Sequence, residues 1–134
     1  MKNFFLLFLL IAACSGLSGC NAPSQEPTVR VVTGISVEAS GSQSIRRTYT
    51  TDREMSNILN YLRLLDPYIS VQLSPDTFRT DTYEIIVTYS DGNHTRYRQI
   101  YSDYFQQDNG SWKKIDPKIG GRLKELLLLP SGKI

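Results

Sequence analysis

Alternating apolar and polar positions predict two strands at the beginning of the folded part of the chain. Within the first strand, Gly34 interrupts the alternation and indicates a bulge. Residues 40–42 predict a turn, and a more polar strand follows with Ile45, Arg47 and Tyr49 on one face. The apolar positions expected on one face of the first strand are Val29, Val31, Ile35, Val37 and Ala39.

A helix is predicted over about residues 52–65. Thr51 and Glu54 have the spacing of a capping box, in which the threonine side chain accepts a hydrogen bond from a backbone amide at the start of the helix. Pro67 ends the helix, because proline disfavours helical geometry in the residue before it. The apolar stripe at helical spacing consists of Met55, Ile58, Leu59, Leu62 and Leu65.

Four further strands are predicted downstream of this helix. A turn over residues 74–76 separates the first two, and Asn109 followed by Gly110 is a strong hairpin signal before the last one. The segment over 83–89 is rich in β-branched and aromatic residues, which favour strands. The predicted strands cover 69–73, 83–89, 94–105 and 111–115.

The register of one hairpin follows from which residues must share a face. A three-residue loop at 90–92 pairs Ile85 with Tyr97 and Glu84 with Arg98, which keeps apolar residues together and adds a cross-strand ion pair. A two-residue loop would instead place Ile85 opposite Arg98. A slip of one residue moves every side chain of a strand to the other face, so we predict the three-residue loop.

A second helix closes the pattern. Asp116 is a suitable N-cap, Pro117 occupies the first helical position, and Gly120 and Gly121 weaken the first turns. Its apolar stripe consists of Ile119, Leu123, Leu126 and Leu127, and Pro130 ends it. The order β-β-α-β-β-β-β-α predicts an α+β fold, with an antiparallel sheet of about five to six strands and two helices on one face.

The first 20 residues have a different character. Lys2 precedes an apolar run over residues 4–13, which is shorter than the roughly 20 residues that span a bilayer as a helix. Leu17-Ser18-Gly19-Cys20 then resembles the lipobox of bacterial lipoproteins. The resemblance implies a signal peptide over 1–19 and acylation of Cys20, which anchors the mature chain to the extracytoplasmic side of the cell membrane.

Two alternatives to this anchor remain open. Ile11-Ala12-Ala13-Cys14 is a second match to the lipobox, with a more cramped apolar run, and the segment can also be an ordinary buried helix. Behind Cys20, residues 20–27 are polar and contain proline, which predicts a flexible tether to one domain over 28–134. Both cysteines lie in the first 20 residues, so the domain is expected to have no disulfide and no thiolate nucleophile.

Composition and charge exclude several functions. The formal net charge of +2 is too small to indicate nucleic-acid binding, which needs a concentrated basic face. His94 is the only histidine and has no second ligand or nucleophile at useful spacing, so no metal, cofactor or catalytic residue is predicted. Glu84 is expected to form a cross-strand ion pair with Arg96 or Arg98.

An aromatic cluster is the unusual feature of the domain. The aromatic residues proposed to contact a partner are Tyr101, Tyr104, Phe105 and Trp112. They predict either the buried side of a sheet or an exposed platform for a glycan or a protein of the cell envelope. The segments 83–92 and 112–115, with Tyr104-Phe105 between them, also resemble those of small, uncharacterised exported lipoproteins, and this resemblance implies no activity.

The sequence therefore favours a membrane-anchored lipoprotein with a small non-enzymatic binding or accessory domain in the cell envelope. Its predicted contacts are the lipid bilayer, through acylated Cys20, and an envelope protein or glycan. The alternative is a small envelope hydrolase or isomerase that uses His94 or a carboxylate pair that the sequence does not reveal.

Overall fold

The computed structural model describes residues 29–42 and 44–129, which form an α+β fold, as predicted. The strands are β1 (Val32–Ser40), β2 (Ile45–Tyr49), β3 (Ile69–Val71), β4 (Thr82–Tyr89), β5 (His94–Ile100), β6 (Tyr104–Gln107) and β7 (Trp112–Lys114). The helices are α1 (Asp52–Leu64), α2 (Pro117–Gly120) and α3 (Arg122–Leu128), and a 3₁₀ helix covers Pro75–Arg79. The predicted signal peptide, Cys20, the tether and Pro130 lie outside the described residues.

All seven strands belong to one sheet, in the order β2-β1-β4-β5-β6-β7-β3, and every neighbouring pair is antiparallel. The sheet has one strand more than predicted, because the single strand expected over 94–105 is two strands. Tyr101 interrupts it with a φ of +50° and donates its backbone N–H to the Asp81 carbonyl at 2.9 Å. The chain reverses there without a glycine or a proline, and the only local turn signal is the weaker one of Ser102 and Asp103.

The bulge predicted at Gly34 is present, and the register of β1 against β4 shifts between Val32 and Gly34. The change that this bulge causes in which residues of the segment face the core was not predicted. Val29 and Val31 are 82% and 57% exposed, whereas Val32 packs against the core. A bulge inserts one extra residue, so the residues before it change face relative to those after it. The residues of β1 that are buried are Ile35, Val37 and Ala39.

Helix α1 begins as predicted. The side chain of Thr51 accepts from the backbone N–H of Glu54 at 3.4 Å and donates to the Glu54 carboxylate at 2.9 Å. The buried stripe is rotated from the predicted one, because Leu59 and Leu62 are only half-buried and Tyr61 is 3% exposed. The buried residues of this stripe are Met55, Ile58, Tyr61 and Leu65.

The hairpin between β4 and β5 has the predicted register. Tyr89 donates its backbone N–H to the Asn93 carbonyl at 2.9 Å, and Gly92 adopts the left-handed conformation with a φ of +83°. Ile85 lies opposite Tyr97, as expected. Of the two ion pairs expected for Glu84, with Arg96 or with Arg98, the structure has the one with Arg96, although Arg98 lies directly opposite Glu84.

The second helical region is capped as predicted, with the Asp116 carboxylate accepting from the Lys118 backbone N–H at 2.9 Å. It is broken into α2 and α3 at Gly121. The carbonyl of Gly120 accepts the side-chain amide of Gln99 at 2.9 Å and the hydroxyl of Tyr61 at 3.4 Å. This buried polar contact joins α1, β5 and α2, so both helical regions are fixed on the same face of the sheet.

The hydrophobic core lies between this face and the helices. From the sheet, it receives residues of β1, β2, β4 and β6, and from the helices it receives residues of α1 and α3. Gln99 is 1% exposed at its edge. The fully buried apolar side chains of the core include Ile35, Val37, Ile58, Ile85, Val87, Leu123 and Leu127. The opposite face of the sheet has no α-helix against it among the described residues, and we call it the open face.

Candidate binding site on the open face of the sheet

The aromatic cluster predicted as a contact surface is divided between different parts of the fold. Phe105 is 6% exposed in the core and stacks on Tyr97 with ring centroids 5.6 Å apart. Tyr101 lies in the turn between β5 and β6 and is 49% exposed. Tyr104 and Trp112 have side chains on the open face, because neighbouring residues of a strand point to opposite faces. The four residues therefore do not form one platform.

A row of polar residues crosses the open face from strand to strand. Glu38 of β1 lies between Arg46 and Glu84, and Arg98 of β5 lies between Glu84 and Gln106. The two glutamates are direct cross-strand neighbours, and like charges in that position destabilise a sheet. Each glutamate also has an arginine as its other cross-strand neighbour, Arg46 for Glu38 and Arg98 for Glu84, so the row carries charges of both signs.

A cavity of about 310 Å³ lies over the centre of this row. Phe78 of the 3₁₀ helix and Trp112 of β7 line it, with their rings edge to face at 5.6 Å. Ile100 also lines the cavity and is 1% exposed, although it lies on the face opposite the helices. The remaining lining residues are Glu38, Ser40, Thr82, Tyr83, Glu84, Arg98 and Gln99.

Arg98 is held in a fixed orientation in this cavity. Its Nε donates to the side-chain oxygen of Gln106 at 2.8 Å, and its Nη2 donates to the same oxygen. Gln106 is itself 7% exposed and donates to the Gly110 carbonyl at 2.6 Å. The guanidinium lies 5.3 Å from the centroid of the Trp112 ring, a distance at which cation–π attraction operates. The charge of Arg98 is thus positioned by an amide and an aromatic ring rather than by a carboxylate.

The carboxylates of the cavity differ in their partners. Glu84 forms an ion pair with Nε of Arg96. Glu38 has no ion pair among the described residues, although Arg46 is its neighbour on β2. The cavity therefore contains one cationic and one anionic side chain, Arg98 and Glu38, that form no ion pair within the described part of the chain.

Of the residues that line the cavity, the sequence indicated only Trp112 as a contact residue, and Phe78 and Glu38 carried no signal at all. Phe78 follows a segment that was predicted only as a turn, and nothing local indicates that its ring reaches Trp112. Glu38 occupies an ordinary polar position in an alternating strand. An apolar residue beside a turn and an acidic residue on a solvent face are common, so only the assembled sheet distinguishes them.

The single histidine of the chain does not belong to the cavity. His94 begins β5 at the hairpin and is exposed, and it does not line the cavity. Within residues 29–42 and 44–129, no group of three or more His, Cys, Asp and Glu side chains is placed to hold a metal ion. None of the described helices is long and apolar enough to cross a membrane.

Comparison with protein-family models, with curated proteins and with solved structures finds no match for this chain.

Proposed function

We propose that this chain is a cell-envelope lipoprotein whose folded domain binds a small polar ligand in the cavity of the open face. Cys20 carries the lipid and holds the domain on the extracytoplasmic side of the cell membrane. The domain acts by binding and does no chemistry on its ligand. An envelope glycan or peptide is the expected source of the bound group.

The cavity is the observation that carries this proposal. Ligand sites are concave, are lined by aromatic and apolar side chains, and contain a few fixed polar groups that orient the ligand. Trp112, Phe78 and Ile100 supply the apolar lining, and Arg98 supplies a fixed charge. A residue that only kept the sheet soluble would not need a buried amide to hold it.

Crosslinking in the native envelope tests the binding site. A photoreactive phenylalanine analogue at Phe78, which is 44% exposed at the cavity, should form an adduct of defined mass that mass spectrometry detects. The control places the same group at Leu128 of α3, which is 54% exposed on the other side of the sheet. Identical adducts from both positions, or none from Phe78, would show that the open face is not the binding site.

The anchor is tested separately by metabolic labelling with a palmitate analogue. Cys20→Ala should abolish the label and leave the precursor unprocessed, because the thiol is the acceptor of the lipid. Cys14→Ala is the matched control and should do neither. Label that persists in Cys20→Ala would contradict the assignment of the anchor.

A second candidate function is hydrolysis, and the cross-strand pair of Glu38 and Glu84 favours it over a role for His94. Two carboxylates that line one cavity can act as general acid and general base in the hydrolysis of a bound ligand. If this is correct, the adduct at Phe78 will be accompanied by a cleaved product, and Glu84→Gln will abolish cleavage while the ligand still binds. An intact ligand supports the binding function.

A further inference from the structure

We propose that the ligand of the open-face cavity is a zwitterion of about dipeptide size, with its carboxylate on Arg98 and its ammonium group on Glu38. This inference rests on the proposed function, namely that the cavity binds a small ligand. It adds the chemical class of that ligand and assigns one end of it to each charged residue.

Arg98 is suited to a carboxylate. A guanidinium presents five N–H donors in a planar fork, and two of its nitrogens donate to the single oxygen of Gln106. The remaining N–H groups have no acceptor among the described residues, so a planar carboxylate can accept from them in pairs. Trp112 on one face of the guanidinium restricts its motion, which reduces the entropy lost on binding.

Glu38 is suited to an ammonium group. Its carboxylate is opposed across the strands by that of Glu84, and the repulsion between them is relieved when a cation lies beside both. Arg96 neutralises Glu84 but does not contact Glu38. A cationic end of the ligand therefore gives Glu38 the ion pair that Arg46, its neighbour on β2, does not form with it.

The charge balance of the cavity argues for a ligand of zero net charge. Among the charged side chains that line the cavity, Arg98 and Glu38 form no ion pair within the described residues, and they have opposite signs. A phosphate or another multiply charged anion would meet Glu38 and Glu84 as well as Arg98. A purely cationic ligand would likewise meet Arg98. A zwitterion satisfies both ends at once.

The distance between the two charged residues sets the size. Glu38 and Arg98 are on strands separated by β4, so their backbones are about 10 Å apart, or two strand spacings. Their side chains both line the same cavity and shorten this gap. An extended chain covers about 3.3–3.6 Å per residue, so a dipeptide covers about 7 Å and leaves about 3 Å to the side chains of Glu38 and Arg98, whereas a single amino acid leaves them about 6–7 Å. Phe78 and Trp112 then contact the body of the ligand.

The experiment uses fluorescence of the purified full chain, because Trp112 is its single tryptophan and lines the site. The probes are Ala-Leu and Leu-Ala, each free, N-acetylated or C-amidated, together with alanine and N-acetylglucosamine. Free dipeptides should change the emission of Trp112 in a saturable way. Loss of either charge should weaken binding by about tenfold, the effect of one charged hydrogen-bond pair.

Two variants assign the ends of the ligand. Arg98→Gln should bind the free and the amidated dipeptide equally, and Glu38→Gln should bind the free and the acetylated dipeptide equally. The matched controls are Arg122→Gln and Glu125→Gln, which are exposed on α3 beyond the other face of the sheet and should keep the discrimination of the native chain.

The outcomes separate this inference from the proposed function. If capped and free dipeptides bind equally, or if only N-acetylglucosamine binds, the cavity binds a ligand but the zwitterion is wrong. If neither dipeptide changes the emission while Phe78 still yields an envelope adduct, the zwitterion is again wrong and the site remains. If no probe binds and Phe78 yields no adduct, both proposals fail.

Discussion

Gly120→Ala tests how tightly the second helical region is held against the sheet. A Cβ atom at this position would lie 2.2 Å from the carbonyl oxygen of Ser102 and 2.9 Å from its Cα. Both atoms belong to the backbone of the turn between β5 and β6, so no side chain can rotate away. Either α2 or that turn must move.

The size of the effect follows from what the movement breaks. An ordinary contact of a Cβ atom begins at 3.4 Å, so the two backbones must separate by about 1 Å, as in other overpacked sites, at a cost of about 1–3 kcal/mol. That shift also lengthens the 2.9 Å bond from Gln99 to the Gly120 carbonyl, and this loss costs about 1 kcal/mol, because the amide keeps its 2.7 Å bond to the Tyr101 carbonyl. The higher helix propensity of alanine returns about 1 kcal/mol. We expect the free energy of unfolding to fall by about 1–3 kcal/mol.

Chemical denaturation followed by circular dichroism measures this change. Gly121→Ala is the matched control, because Gly121 has an ordinary helical φ of −64° and its added Cβ meets only the Pro117 carbonyl, at 3.2 Å. Its effect should stay within about 1 kcal/mol in either direction. Equal losses in the two variants would refute the reasoning, since they would mean that helix propensity and not the close approach to Ser102 sets the cost.

Three further predictions concern the core. Tyr61→Phe should lower the free energy of unfolding by about 1–3 kcal/mol, because it leaves the side-chain oxygen of Gln99 buried without the Tyr61 hydroxyl as its donor. Tyr49→Phe should leave the free energy of unfolding unchanged, because the buried Tyr49 hydroxyl has no partner within the described residues. Chemical denaturation of both variants compares the two. Ile58→Ala should lower the free energy of unfolding by about 2–5 kcal/mol, because Ile58 is 1% exposed. Leu62→Ala should lower it by about 1 kcal/mol, because Leu62 is only half-buried. Equal losses of stability in the two variants would contradict the buried stripe observed on α1. Burial raises the pKa of Tyr61 above its ordinary value of 10.0, so the unfolded state loses the phenol proton at a lower pH than the folded state does. The free energy of unfolding should therefore fall as the pH rises above about 10. Denaturation experiments at pH values above about 10 should show a smaller fall for Tyr61→Phe.

Those parts of the fold that depend on neighbouring residues were predictable. The cap of α1 needs only Thr51 and Glu54, which are three positions apart, and both lie where the spacing required. The β4–β5 hairpin needs a loop of three residues and a consistent apolar face, and its register follows from these two conditions. Signals within a few residues were therefore enough to predict the start of α1 and the pairing of β4 with β5.

Features that depend on distant contacts were not predictable. The turn at Tyr101 exists because its amide reaches Asp81 in another part of the chain, and tyrosine with a positive φ carries no turn signal. The exposed face of Val29 and Val31 depends on the position of the bulge, which an alternating pattern does not locate to one residue. In both cases a tertiary contact overrides a local preference.

The candidate site also depends on contacts between residues that are far apart in the sequence. The sequence indicated aromatic residues near Trp112, but alternation along β6 sends Phe105 into the core and leaves Tyr104 on the other face. Glu38 and Phe78 join Trp112 only because the sheet order brings β1, the 3₁₀ helix and β7 around one cavity. A site assembled from separated strands has no spacing in the sequence by which to find it.

The bonding of Arg98 is the strongest physical reason to regard this face as functional. Glu84 lies directly opposite Arg98, and a bond between them would be the simplest way to stabilise the sheet. Instead, Glu84 bonds to Arg96, and Arg98 bonds to the nearly buried amide of Gln106. Arg98 and Glu38 therefore form no ion pair, although Glu84 and Arg46 are their cross-strand neighbours. The proposed binding site needs a charged side chain that hydrogen bonds and packing hold in one orientation, and Gln106 and Trp112 hold Arg98 in this way.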